Sequence, residues 1–401
     1  SLKTLNSFMS KRLLEKNFCV IPWTGFELEP TGAVKNCIIS KDKIGNIHNS
    51  KIETIIKDNP LRKQMLDGKY PSNCSGCYLQ EKHRPNSFDS ISSRLYYTKH
   101  LANKISPKLL EKKENFELRH VDLRWSNICN QACVYCYPEY SSKWAKELGV
   151  KIPKNQNNIN KVKKYVYDRI DKLENVYLAG GEPLLMKNNK EFLELLYQKN
   201  PNAIIRVNTN LNKTNTGIFE LICKFKNVHW TISTETIEQE YNYVRHHGNW
   251  NDFLSNFKII KELPHKISFN MLYFILNYKS LFDCVKYFQE LGVHNNSFVI
   301  GPLYNPIWLN VLNLPEETIQ SCIEMFDKEI SKLIIDQINI LDKISDKFSI
   351  KVTHIKPHGA LNNMACENYE LAEIISKSII EVNKNLIFLV PTGSQMQKAG
   401  K

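Results

Sequence analysis

Between residues 118 and 300, short runs rich in β-branched and aromatic residues alternate with stretches of helical period. This arrangement predicts a parallel sheet with helices packed outside it. The strands are expected at 118–125, 176–179, 204–208, 228–233, 267–272 and 297–300. Between them, Val162, Tyr165, Val166, Ile170 and Leu173 share one helical face, as do Phe253, Leu254, Phe257 and Ile260. Six β/α units are fewer than the eight of a closed barrel. The expected fold class is therefore α/β, a partial (β/α)6 barrel with its active site at the C-terminal ends of the strands.

The flanks read differently. Ahead of the barrel come turn signals at Glu29-Pro-Thr-Gly32 and Gly45-Asn46, scattered cysteines and a charged connector at 110–117. After Pro302 the pattern is helical from Pro315 to about residue 344, with Pro315-Glu316-Glu317 suited to a helix start by fixed geometry and negative charge. The expected domains are a small Cys-rich metal-binding unit with connector at 1–116, the barrel at 117–306 and a C-terminal helical extension at 307–401.

With 401 residues, 42% apolar and 24% charged, the chain has the make-up of a globular protein, and no apolar run reaches the roughly 18 residues that cross a bilayer. The first residues lack the apolar core of a secretory signal, so a cytoplasmic location is expected. The formal charge of +13 would suit a nucleic-acid partner. Lys far exceeds Arg, however, and Lys, Asn and Ile are abundant throughout, as an AT-rich coding sequence produces without any partner.

Eleven cysteines in such a chain point to metal or redox chemistry rather than disulfides. Cys284 and Cys322 lie on apolar helical stripes and are expected in the core. Cys129-Asn-Gln-Ala-Cys133-Val-Tyr-Cys136 follows the first barrel strand directly. A [4Fe–4S] cluster usually takes four Cys, so three on one loop leave one iron open to another ligand. Zinc also binds thiolates, but a structural zinc needs four closed ligands. The second strand runs into Gly180-Gly181-Glu182-Pro183, where backbone can approach a ligand and a carboxylate can accept from an ammonium.

This Cys spacing, with Tyr135 before the last Cys and the Gly-Gly-Glu-Pro element after the next strand, resembles the radical S-adenosylmethionine (SAM) superfamily. The resemblance implies that the open iron chelates SAM and that SAM is cleaved reductively to a 5′-deoxyadenosyl radical, which abstracts hydrogen from a substrate. It implies an external flavodoxin- or ferredoxin-like electron donor and an oxidoreductase-type enzyme. It also implies that Tyr135 packs near the adenine and that Gly180, Gly181 and Glu182 lie against the methionyl amino group. Ser233, at the fourth strand end, and Arg245 match the positions that contact the SAM ribose and carboxylate. Family chains often have Asp-Gly where this one has Glu235-Thr236. Asn208, Thr209, Asn210 and Asn270 add polar groups at strand ends.

Cys19, Cys37 and Cys74-Ser-Gly-Cys77 provide four more thiolates, with Cys19-Val-Ile-Pro-Trp and Thr31-Gly-Ala-Val-Lys-Asn-Cys37 around them. These segments resemble the auxiliary-cluster twitch or SPASM domains of radical SAM enzymes, which usually follow the core and here precede it. The resemblance implies a second [4Fe–4S] cluster; a four-Cys zinc site is the alternative. The phrases Ser126-Asn-Ile-Cys129-Asn130, Ser141-Ser-Lys-Trp144 and Gly180-Gly-Glu-Pro-Leu-Leu-Met186 are most similar to marine bacterial and phage twitch-containing radical SAM proteins. By analogy with auxiliary-cluster radical SAM enzymes, which most often modify peptides, the substrate is expected to be a peptide. The alternatives are a nucleic acid or nucleotide substrate, or a non-enzymatic zinc-stapled module that binds nucleic acid. No membrane partner is expected.

Overall fold

The computed structural model describes residues 15–83, 92–101, 103–152 and 156–401. Contacts divide it into two units, one within 1–78 and 92–311, the other within 79–91 and 312–401.

In the first unit a nine-stranded sheet runs β3-β2-β1-β4-β5-β6-β7-β8-β9. Its strands are β1 (Gly25–Leu28), β2 (Ala33–Lys35), β3 (Lys43–Asn46), β4 (His120–Leu123), β5 (Asn175–Leu178), β6 (Ile204–Thr209), β7 (Val228–Ser233), β8 (Lys266–Tyr273) and β9 (Phe298–Pro302). Strands β4 to β9 are the six expected from sequence, all parallel. Their alternation decides which face of the sheet is covered. Val121, Leu123, Val176, Leu178, Ile205, Val207, Trp230 and Ile232 are fully buried on one face. That face meets helices such as Lys187–Lys199 and Trp250–Lys261, which bury Phe192, Leu193, Leu196, Phe253, Phe257 and Ile260. The other face is polar and becomes the barrel interior. Cys284 is buried as expected.

The Cys-rich N-terminal segment does not stand apart from this sheet. β1 pairs in parallel with β4 through Gly25↔His120 to Leu28↔Leu123, and β2 and β3 extend the sheet in antiparallel fashion. A four-residue strand is too short to show its period in the sequence. Gly25 makes the junction possible, because a Cβ there would lie 2.5 Å from the His120 carbonyl oxygen. Phe18, Val20, Ile21, Trp23, Met65, Tyr97 and Leu101 give this segment its own apolar core.

In the second unit the helix Glu316–Asp346 begins after Pro315, with Glu316 and Glu317 in its first turn. Cys322 is buried on it. Its Ile334 and Ile338 pack with Ala365, Ala372, Ile375, Ile379 and Met396. A two-stranded parallel sheet pairs His354–Ile355 with Ile387–Phe388.

Candidate active site

The loop after β4 is held by its own neighbours rather than by regular structure. Trp144 Nε1 donates to the Cys133 carbonyl at 2.7 Å. Ser141 Oγ donates to the Gln131 carbonyl at 2.6 Å, and the Cys129 amide donates to Ser142 Oγ at 3.1 Å. From the opposite side, the amides of Ala132 and Val134 each donate, at 2.9 Å, to the carbonyls of His246 and Val244 respectively. These bonds satisfy a stretch of irregular backbone that burial would otherwise penalise. They also fix the three thiols on one wall of a cleft of about 190 Å³.

That cleft gathers most of the candidate residues. Its lining includes Cys129, Cys133, Cys136, Tyr135, Gly180, Gly181, Asn208, Thr209, Asn210, Ser233, Arg245 and Asn270. They come from the ends of successive strands, as parallel β/α architecture dictates. Gly181 is required by close approach: a Cβ there would lie 2.1 Å from the Ile128 carbonyl oxygen, which already accepts from the Glu182 amide at 2.7 Å. Asn210 Nδ2 approaches Cys129 Sγ at 3.8 Å and donates to Asn130 Oδ1 at 3.0 Å.

Glu182 sits behind the glycines, fully buried. Its carboxylate accepts from Thr209 Oγ1 at 2.8 Å, the Asn210 amide at 2.8 Å and the Leu184 amide at 3.1 Å. Burial raises its pKa to about 7 against those donors. The geometry therefore makes it a brace between the loops after β5 and β6, and it is the two glycines that face the cleft.

Glu235, whose place the sequence left open, joins two of the candidates. Fully buried, it pairs with Arg245 Nη2 at 2.7 Å and accepts from the Tyr135 hydroxyl at 2.8 Å. Burial opposes the charge of Arg245, and Glu235 outweighs it, so the guanidinium pKa is raised. Arg245 Nη1 lies 3.9 Å from Cys133 Sγ, and the guanidinium lies 5.8 Å from the Tyr135 ring centroid. Tyr140 lines the same cleft and donates to Glu29 from the adjoining β1 segment. No spacing rule in the sequence marks Tyr140, because its partner is 111 residues away.

The four N-terminal cysteines also converge. Cys19, Cys37, Cys74 and Cys77 line one cavity with Ile21, Ile39 and Arg94. Burial first, then the neighbouring thiols, push the pKa of Cys37 to about 12 and that of Cys74 to about 11. A metal binding here must displace those protons. A single tetrahedral zinc at a Zn–S distance near 2.3 Å draws its thiolates to about 3.8 Å of one another.

Family comparison agrees with this geometry. Residues 123–288 match the radical SAM superfamily, and residues 19–78 match the SPASM iron–sulfur cluster-binding domain. Residues 123–288 thus form a radical SAM domain, with a SPASM-type iron–sulfur cluster-binding domain ahead of it. These two domain matches imply a SAM-binding [4Fe–4S] cluster, an auxiliary iron–sulfur cluster and SAM.

Solved structures with a similar outline include Streptococcus suis SuiB bound to precursor peptide SuiA (16% identity, TM-score 0.40, 59% of this chain and 52% of that one). Another is anSMEcpe with bound AdoMet and Cp18Cys peptide (15% identity, TM-score 0.37, 47% and 51%).

The C-terminal residues 321–401 match a different family, LamB/YcsF. The chain is also 44% identical to one of the subunits of 5-oxoprolinase from Rhodopseudomonas palustris strain BisB18 across 73 residues, 18% of this chain and 29% of the relative. It is 45% identical to the corresponding Clostridium beijerinckii protein across 74 residues, with the same coverage. The chain therefore spans less than a third of the length of these curated relatives. Sequence reasoning saw only a helical extension here, since no clustered chemistry marks the segment. Among the described residues no helix is long and apolar enough to cross a membrane.

Proposed function

We propose that the cleft binds SAM against a cluster held by Cys129, Cys133 and Cys136, and that the substrate is a peptide. The convergence of those three thiols with Gly180, Gly181, Ser233 and Arg245 on one cleft carries the reading. When bound, the cluster and SAM supply one-electron cleavage and a hydrogen-abstracting radical.

The chain's own residues position and shield. Gly180 and Gly181 admit the methionyl end to close backbone contact. Ser233 and Asn208, 3.3 Å apart, offer hydroxyl and amide groups to the ribose. Tyr135, pinned by Glu235 and packed edge-on to Phe274 at 5.6 Å, gives an apolar flank for the adenine. Burial raises the pKa of the Cys133 thiol, and the fixed positive charge of Arg245 beside it offsets part of that penalty on the thiolate. Cys19, Cys37, Cys74 and Cys77 hold the auxiliary cluster, and an external donor of the flavodoxin or ferredoxin type supplies electrons.

An extended substrate can enter from the side. β9 ends the sheet, and Val299, 57% exposed, pairs in register with Asn270 of the cleft. This open flank supports a peptide.

The test is anaerobic reconstitution with iron and sulfide, addition of SAM and dithionite, and detection of 5′-deoxyadenosine by mass spectrometry. Product is expected from the native chain and not from a Cys129→Ala/Cys133→Ala/Cys136→Ala variant. Equal product from both would refute the assignment.

A further inference from the structure

The polar face of the sheet continues below the cleft. Register aligns Asp122, Tyr177, Arg206 and His229 across β4 to β7, while Asn208 and Thr231 form the next row toward the cleft. Asn208 is part of the cleft wall. Arg206 lies two residues earlier on the same face, about 7 Å deeper at the rise of a β-strand.

The two guanidinium groups on this face are treated very differently. Arg124 is neutralised: its Nε and Nη2 donate to Asp122 at 3.1 and 3.0 Å, and Nη2 also meets Glu27 at 3.0 Å. Arg206 is half-buried, its Nε is buried with no hydrogen-bond partner, and among the described residues it forms no ion pair. Its guanidinium is flanked by rings, 5.0 Å from the centroid of Tyr96 and 5.4 Å from that of Tyr177. Asp122, the carboxylate in its row, is hydrogen-bonded to Arg124 and acts on Arg206 only through space. His229 offers no negative charge; burial, then Arg206, hold its pKa down to about 4, and its Nε2 lies 2.9 Å from Ser268 Oγ.

A cation flanked by two rings, with its Nε unpartnered and no carboxylate within ion-pair distance among the described residues, is arranged for a planar oxyanion from outside the chain. A guanidinium matches a carboxylate through two parallel hydrogen bonds. We propose that Arg206 is a binding residue for a carboxylate carried by the substrate, held about one strand pleat below the cleft. The proposal rests on the peptide reading above and narrows it to a peptide with an acidic side chain or free C-terminus near the reacting residue.

The experiment compares two blocked residues, N-acetyl-glutamate amide and its neutral isostere N-acetyl-glutamine amide, by anaerobic calorimetry on the reconstituted protein. The acidic probe should bind at least tenfold more tightly. Arg206→Gln should abolish that preference and Arg206→Lys should keep part of it, since a lysine retains charge without the fork. Equal affinity for the two probes, no binding of the acidic one, or a preference surviving Arg206→Gln would overturn the proposal. The comparison on the native chain decides the matter even if the variants fail to fold. A clear preference for inorganic phosphate over the acidic probe would overturn the carboxylate assignment. Formation of 5′-deoxyadenosine by the same preparation, without probe preference, would remove the carboxylate anchor alone. Probe preference without 5′-deoxyadenosine would instead remove the functional reading.

Discussion

Glu235 offers a quantitative test because it is buried and, among the described residues, forms an ion pair with Arg245 alone. Its side chain is 0% exposed and that of Arg245 is 4% exposed, with 2.7 Å between Oε2 and Nη2. Glu235→Gln keeps the shape but leaves the guanidinium without its counter-charge. Breaking a buried pair from one side typically costs about 3–5 kcal/mol. Removing both charges with Glu235→Gln/Arg245→Met should recover most of that loss, because replacing a buried pair by uncharged groups is often near neutral. The coupling energy across the double-mutant cycle should then be about 3 kcal/mol. The assay is urea unfolding of EDTA-treated, reduced, iron-free protein near neutral pH. Cluster-loaded protein should show a smaller penalty for the single variant, since thiolate charge then lies beside Nη1, 3.9 Å from Cys133 Sγ. A loss below about 1 kcal/mol for Glu235→Gln, or strict additivity of the two substitutions, would refute the argument that this pair is electrostatically isolated.

Two further outcomes are expected. Replacing Cys74 and Cys77 by Ala should remove roughly half the iron, as two clusters of four irons predict, while leaving SAM binding detectable by calorimetry; loss of zinc with unchanged iron would show that the N-terminal four hold zinc. His120 is 2% exposed, burial lowers its pKa to about 3, and its Nδ1 meets the Asn175 carbonyl at 3.3 Å. The unfolded chain takes up that proton near pH 6.5, so the contribution of His120 is complete above that value and falls as pH drops toward 3. Unfolding free energies of the native chain and His120→Phe should therefore diverge to the disadvantage of the native chain between about pH 6.5 and about pH 4. A pH-independent difference would count against a neutral buried imidazole.

The barrel was readable because its signals are local. Val228–Ser233 begins and ends as its alternation indicates, and the run from Pro315 starts a helix at Glu316. The cysteine loop was readable for the same reason, since three residues and then two separate ligands that act together. Glu182 was harder. Its place in Gly-Gly-Glu-Pro suggests a ligand contact, yet Thr209 and the Asn210 and Leu184 amides occupy its oxygens.

By itself the sequence determined the parallel β/α order, the two sets of cysteines and the strand-end glycines, because each depends on residues close together in the chain. Only the tertiary structure decided that β1 would join β4, that Glu235 would tie Tyr135 to Arg245, and that Arg124 would be paired with Asp122 and Glu27 while Arg206, among the described residues, has no carboxylate within ion-pair distance. Those outcomes depend on strand register and on burial, which set the partners of residues far apart in sequence and the energetic weight of their charges.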